Sequence, residues 1–304
     1  MATDGPSRVQ DLIWRLEAAA YDAFVGLTRR LPVDAVSDFG AVLLGALGPL
    51  TSVDRTVERN LRIVFPKAAA AEISRLKRAQ WREAGRLFAE FPILDRIMAD
   101  PSRVEVVGRE RLAEIAASGR PVVFISGHFS SFEIMPAVIV HAGVRCQITY
   151  RAANNPYVDA RIRQSRARYG VELFAPKGAE GARALMRAFG RGESVALMND
   201  QKFNGGVAAP FFGVTAHTAP GPSTFALKFG APIVPMSVQR LRKARFRVIV
   251  HEPIRLEDTG DRAADIAVGV RRINAFMEER ILDRPQEWFW VHKRWPKEVY
   301  KPGA

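Results

Sequence analysis

Apolar residues recur at three- and four-residue spacing near the start of the chain. Val9, Leu12, Ile13, Leu16, Ala20, Ala23, Phe24 and Leu27 fall on one face of a predicted helix that Pro32 ends. A second apolar stretch covers Val36 to Leu47. A third helix is predicted from about Ala71 to Phe91, where Ile73, Leu76, Trp81, Leu87 and Phe88 stand among many arginines. A face of Trp, Leu and Phe beside Arg suits a helix lying in a membrane interface. The same face suits a cover packed on the protein's own core, and periodicity leaves both open.

The pattern changes near residue 101. Val104 to Val107 and Val122 to Ser126 read as short strands, the second a continuous apolar run of the fully buried kind. Gln147 to Tyr150, Ser194 to Met198, Ile233 to Val238 and Phe246 to Val250 follow, with helical patterns between most of them. A last helix, about Ala263 to Leu282, sets Ile266, Val270, Ile273 and Met277 on one face. Strands alternating with helices predict an α/β fold. Its sheet should be mixed but mostly parallel, flanked by helices, with a helical N-terminal subdomain over residues 1–100 and the α/β part over 101–304.

Composition bounds the class. The chain has 304 residues, 48% hydrophobic and 25% charged, an ordinary globular mixture that excludes disorder and fibrous repeats. Cys146 is the single cysteine, so no disulfide, CxxC pair or cysteine-rich zinc cage forms within one chain. Met1-Ala2-Thr3-Asp4 lacks the basic and apolar regions of a secretory peptide. The charge-free stretch Phe39 to Val53 carries three glycines and a proline, and falls short of the ~20 apolar residues that span a bilayer. Phe203 to Leu227, rich in Gly and Pro, reads as a winding loop. Net charge is the outlier: +13, a field that favours acidic partners.

Several common sites are missing: no GxSxG elbow, GxxxxGK[ST] loop, GxGxxG turn or HExxH occurs. What remains is Pro121-Val-Val-Phe-Ile-Ser-Gly-His128-Phe-Ser-Ser-Phe-Glu133. An apolar strand ends at Ser126, Gly127 permits a sharp turn, and His128 sits at the strand's carboxyl end, where open α/β sheets bind ligands. With the histidine in the loop and Glu133 in the first turn of a following helix, the two can meet. A carboxylate on one imidazole nitrogen fixes the tautomer and leaves the other free as a general base. Ser130-x-x-Glu133 is also a capping box, in which Glu133 merely returns to the helix's first N–H. His141, His217, His251 and His292 are weaker candidates. None is spaced with a second histidine as a metal pair, and no metal is expected.

Between Tyr150 and Arg191 nine basic residues, Arg151, Arg161, Arg163, Arg166, Arg168, Lys177, Arg183, Arg187 and Arg191, face three acidic ones, a net +6. Arginine's planar fork suits phosphate, so an anionic substrate or carrier is the expected partner. Nucleic acid is not, because few aromatics interleave the charges. Asp200, in Asn199-Asp200-Gln201, also lies at a strand's carboxyl end, fit to orient an arginine or a hydroxyl, or to serve as a turn residue. Pro210-Phe-Phe-Gly213 and Pro220-Gly-Pro222 could line an acyl slot.

Five segments in order carry a resemblance: His128-x4-Glu133, Tyr150-Arg-Ala-Ala-Asn-Asn-Pro156, Asp200-Gln201, Pro210-Phe-Phe-Gly213 and Trp288-Phe-Trp-Val-His-Lys-Arg294. Together they resemble the late acyltransferases of lipid A biosynthesis, the lauroyl/myristoyl transferase family within the glycerolipid acyltransferase type. The resemblance runs from about residue 10 to 298. It implies an enzyme at the cytoplasmic face of the inner membrane, peripheral or monotopic, associated through its N-terminal subdomain. Such an enzyme moves a fatty acyl group from acyl carrier protein, as its phosphopantetheine thioester, to a hydroxyl of a lipid A precursor without any cofactor. It implies His128 as the base, Glu133 as its partner, and Arg166, Asp200 and Arg151 as supporting residues. Acyl-CoA as donor, a lysophospholipid or glycolipid as acceptor, and a non-enzymatic basic membrane-binding protein are the alternatives.

Overall fold

The computed structural model describes residues 7–176 and 179–301. Met1-Ala2-Thr3-Asp4 and Lys177 therefore lie outside the described residues. Five helices come first: α1 (Arg8–Arg30), α2 (Val33–Leu47), α3 (Asp54–Val64), α4 (Ala70–Glu90) and α5 (Leu94–Met98). Ser7 starts α1 by accepting the Gln10 N–H, and Arg29 and Arg30 close it where the helix dipole favours cations. There follow β1 (Val104–Val107), α6 (Arg109–Ser118), β2 (Val123–Ser126), α7 (Ile134–His141), β3 (Cys146–Tyr150), α8 (Pro156–Ala167), β4 (Phe174–Pro176), α9 (Ala179–Gly190) and β5 (Ser194–Met198). The chain ends with β6 (Val207–Phe211), β7 (Val214–Thr218), α10 (Gly221–Phe229), β8 (Ile233–Arg242), β9 (Arg245–Val250) and α11 (Arg262–Asp283).

Seven strands make one sheet in the order β1-β9-β8-β2-β5-β3-β4. Every neighbouring pair is parallel except β8 and β9. The sheet is thus mixed and mostly parallel, as predicted. The segment read as a winding loop is instead the β6–β7 hairpin followed by α10. Its turn needs left-handed backbone at both central residues, Phe212 and Gly213, and the Phe212 N–H is bound by Glu278.

The helical third is not a detached unit. One apolar core runs from Val36, Leu61, Ile73 and Trp81 into Phe124, Ile125, Val234 and Met277. Helix α4 is a cover on that core, with Ile73, Leu76, Trp81 and Leu87 buried and only Phe88 of the predicted face exposed. Helices α2 and α4 touch backbone to backbone: a Cβ on Gly40 would come 2.2 Å from the Gly85 carbonyl oxygen. A buried ionic cluster ties both to the sheet. Arg240 of β8 grips Glu90 at 2.6 and 3.0 Å and Glu83 at 2.7 Å, and Ser37 of α2 donates to Glu90.

Helix α1 reverses the usual arrangement. Its predicted apolar face points away from the protein, with Leu12 and Leu16 58% and 63% exposed. Its polar side makes the contacts: Tyr157 donates to Asp11, Asn155 to Glu17 and to the Trp14 carbonyl, and Arg161 holds Asp22 in a fork. The outward face of α2 is also apolar, with Phe39, Val42, Leu43 and Leu47 exposed. The overlapping window Val33–Leu50 is long and apolar enough to cross a membrane by length and composition alone. A third of it is buried against the fold.

Candidate active site

Strand register builds the site. Ser126 of β2 pairs with Met198 of the parallel neighbour β5, and the Asn199 N–H reaches the Ser126 carbonyl. His128 and Asp200, each two residues past those ends, therefore meet at the carboxyl edge of the sheet. The imidazole Nδ1 lies 2.8 Å from Asp200 Oδ1, and the His128 backbone N–H donates to Oδ2 at 2.8 Å. The buried indole of Trp288 donates to the same Oδ2 at 2.8 Å. Burial pushes the Asp200 carboxyl up. The charge and hydrogen bonds of His128, with the Trp288 bond, outweigh burial and hold it well below the usual carboxylate range.

Glu133 does not orient the imidazole. Its carboxylate is taken by Arg166, whose Nε and Nη2 reach its two oxygens at 3.0 and 2.5 Å. The predicted His128–Glu133 pairing is corrected accordingly: Asp200 holds the ring, and Glu133 holds an arginine. The capping box is absent too, since α7 begins at Ile134 and Glu133 caps nothing with its side chain. The chain between them is a tight loop, with Ser130 in left-handed backbone (φ 44°) and its N–H held by the Glu287 carbonyl. That loop turns Glu133 toward α8.

The Tyr150–Pro156 segment explains how Arg166 arrives. Asn155 caps α8 by accepting the Tyr157 and Val158 N–H groups, and Pro156 occupies the first turn. Asp159 receives the Tyr150 hydroxyl at 2.6 Å and the Ala153 N–H at 2.7 Å. Burial and then Asp159 push the Tyr150 phenol up to about 12. Three turns along α8, Arg166 stacks over the Tyr150 ring at 4.5 Å. Burial pulls the Arg166 guanidinium down, but Glu133 more than compensates, so it stays charged.

His128, Glu133 and Arg166 line a cavity of about 270 Å³ with Arg151, Tyr150 and Gln201. Its other walls are largely apolar: Ile125, Met135, Ile139, Ile148 and Met236. Arg151 is exposed. The basic segment as a whole does not form one free patch: Arg161, Arg163, Arg166 and Arg191 are paired with Asp22, Asp159, Glu133 and Glu193. Nor do the two phenylalanines of Pro210–Gly213 line the cavity. Phe211 is buried against Trp288 and Trp295. Pro220–Pro222 forms the start of α10.

Two contacts to His128 come from motif segments to which the sequence assigned no place beside the base. Gln201 lies 3.3 Å from its Nε2 and 2.9 Å from Nε2 of His292, a histidine the sequence ranks among the weaker ones. The C-terminal Trp288–Arg294 stretch is thus part of the site's frame. Phe289 donates to the His128 carbonyl, and Phe129 and Trp288 form an antiparallel bridge. Buried Arg294, pulled down to about 10 by burial, donates to Thr218 and the His217 carbonyl.

The profile described as bacterial lipid A biosynthesis acyltransferase matches residues 13–297, nearly the whole chain and every residue of this site. The chain belongs to the bacterial lipid A biosynthesis acyltransferase family. Among curated relatives it is similar to a lipid A biosynthesis acyltransferase of Haemophilus influenzae, 22% identical over 62% of this chain and 58% of that protein. The match thus spans little more than half of that relative's length. It is also similar to the lipid A biosynthesis lauroyltransferase of Escherichia coli, 24% identical over 79% of this chain and 78% of that one. Among solved structures it is similar to the crystal structure of the 1-acyl-sn-glycerophosphate (LPA) acyltransferase PlsC from Thermotoga maritima. That likeness has a TM-score of 0.35 and 15% identity over 76% of this chain and 95% of the other. Within the family the expected pieces are thus in one place, but the imidazole's acid comes from β5 and not from the His-x4-Glu motif.

Proposed function

We propose that the protein transfers a fatty acyl group from the phosphopantetheine thioester of acyl carrier protein to a hydroxyl of a lipid A precursor. The observation that carries this reading is the His128–Asp200 pair at the edge of an apolar cavity. Asp200, ionised, keeps the proton on Nδ1 and leaves Nε2 as the base. His128 removes the acceptor's hydroxyl proton as the oxygen bonds to the thioester carbonyl carbon. The tetrahedral intermediate then collapses, the C–S bond breaks, and the imidazolium returns the proton to the sulfur. Ester and thiol leave, and His128 is neutral again.

Arg166 is the candidate donor to the developing oxyanion, since its Nη1 is buried without a hydrogen-bond partner and its other nitrogens are fixed by Glu133. Cys146 is no candidate acyl carrier: it is buried, and burial pushes its thiol up. The acyl chain fits the apolar walls at Ile125, Ile139 and Met236, where each buried methylene contributes about 0.8 kcal/mol. Exposed Arg151 suits a lipid phosphate. The outward apolar faces of α1 and α2 support attachment at the cytoplasmic surface of the inner membrane.

The test is a competition with purified protein and C12 to C16 acyl carrier protein thioesters, with acyl-CoA in parallel and a lipid A precursor and lysophosphatidate as acceptors. The reading expects ester formation on the lipid A precursor from the carrier protein. Transfer only to lysophosphatidate, or only from acyl-CoA, would replace the acceptor or donor while keeping the chemistry. A protein that binds vesicles and transfers nothing would overturn it.

A further inference from the structure

We infer that Gln201 and His292 form a hydrogen-bonded bridge onto the Nε2 lone pair that Asp200 sets on His128, which makes both of them positioning residues for the base; this rests on the acyl-transfer reading above. Gln201 follows Asp200 directly, so the strand end that supplies the acid also supplies the amide. The amide nitrogen stands between two imidazoles, 3.3 Å from Nε2 of His128 and 2.9 Å from Nε2 of His292. An amide nitrogen has two hydrogens to donate and nothing with which to accept. Each ring nitrogen facing it must therefore present a lone pair.

The assignment of nitrogen and not oxygen to that position follows from chemistry at the opposite side of the ring. Ionised Asp200 accepts from Nδ1–H of His128, so neutral His128 carries its lone pair on Nε2. An amide oxygen there would set two lone pairs against each other. His292 makes the same choice a second time, because its Nε2 takes the other amide hydrogen. It is well held for this: Asn60, buried in α3, donates to the carbonyls of His292 and Trp290 at 2.8 and 2.6 Å, and the Phe289 ring packs 5.2 Å from the His292 ring.

The two bonds are unequal, and that matters for catalysis. The longer one is at the base, so an acceptor hydroxyl can take its place while the shorter one keeps Gln201 anchored on His292. Other charged groups stand around His128: Asp200 at Nδ1, Glu133, Arg166 and Arg151 around the cavity, and Glu83 and Glu287 on its far side. Among the described residues none of these is hydrogen-bonded to Nε2.

The test uses full-length protein labelled with ¹⁵N-histidine, long-range ¹H–¹⁵N correlation at neutral pH, and the acyl-transfer assay. Wild type should give rings 128 and 292 the pattern of Nδ1–H with a bare, hydrogen-bonded Nε2. Gln201→Glu, which can only accept at that position, should convert ring 128 to the imidazolium pattern. It should also lower kcat at least about tenfold, part of the roughly 10²–10⁴ that a positioned base supplies, with KM nearly unchanged. A second pair guards against misfolding: His292→Asn keeps an acceptor for Gln201 and should preserve the hydrogen-bonded Nε2 shift of ring 128 and most of kcat, whereas His292→Leu should lose that hydrogen-bond shift and lower kcat. Identical ring 128 patterns in wild type, Gln201→Glu and His292→Leu would overturn the bridge. If ring 128 responds as expected while wild type transfers no acyl group from any donor, the bridge stands and the acyl-transfer reading fails.

Discussion

At the scale of single residues, the working geometry is two acids with separate partners, Asp200 on His128 and Glu133 on Arg166. The motif made His128 legible in the sequence, because a strand end, a glycine turn and a histidine are local features. Its true partner was not legible, because Asp200 lies 72 residues away and comes near only when β2 and β5 pair. Glu133 was misassigned for a local reason: Ser130 takes left-handed backbone and the helix starts later than the capping pattern suggests. Asp200→Asn should keep the fold, since the amide oxygen can still accept from Trp288. It should lower kcat by about 10²–10⁴ with KM little changed, because the ring loses its tautomer control. Steady-state kinetics alongside circular dichroism checks this.

Glu287, whose carbonyl holds the Ser130 N–H, makes a pH prediction. Burial raises its carboxyl to about 7, against the pull of Arg284. A raised acid stabilises the fold fully below its unfolded value and loses that contribution as pH rises through 7. The stability of the protein should therefore decline from about pH 4.5 to 7.5 by up to roughly 3 kcal/mol from this group. Glu287→Gln should flatten that part of the Tm–pH curve.

Among the elements, regular patterning was read well and irregular patterning poorly. Strands β1 and β5 match their predicted bounds, each a short valine-bearing run between turns. The β6–β7 hairpin was lost among glycines and prolines because its left-handed turn places a phenylalanine where Asn or Gly is expected. Helix α1 was found, but periodicity gives a face and not its direction. Its apolar side turned out to face away from the protein. Leu12→Glu with Leu16→Glu should therefore leave Tm nearly unchanged while reducing co-sedimentation with anionic vesicles by an order of magnitude or more. The opposite pattern is expected at the α2–α4 contact. Gly40→Ala sets a methyl against the Gly85 carbonyl and should destabilise the protein by about 1–3 kcal/mol, read in a denaturant titration.

For the whole molecule, the helical N-terminal third and the sheet form one folded body around a shared core, joined by the Arg240–Glu90–Glu83 cluster. Removing one partner of a buried ion pair leaves the other uncompensated. Glu90→Ala should cost about 3–5 kcal/mol and loosen both parts in a single transition. That union places the apolar outer faces of α1 and α2 on the same folded body as the candidate site, since α1 is bonded to α8 and α8 carries Arg166. On the proposed reading, a lipid acceptor at the membrane surface and the base at the sheet edge share one frame. The most direct measurement is single-turnover transfer of a labelled acyl chain from carrier-protein thioester to a lipid A precursor, by wild type and His128→Ala at equal vesicle binding. Labelled ester should form with wild type and be lost by at least about 10²-fold in the variant. Equal yields from the two proteins would contradict a role for His128 as the base.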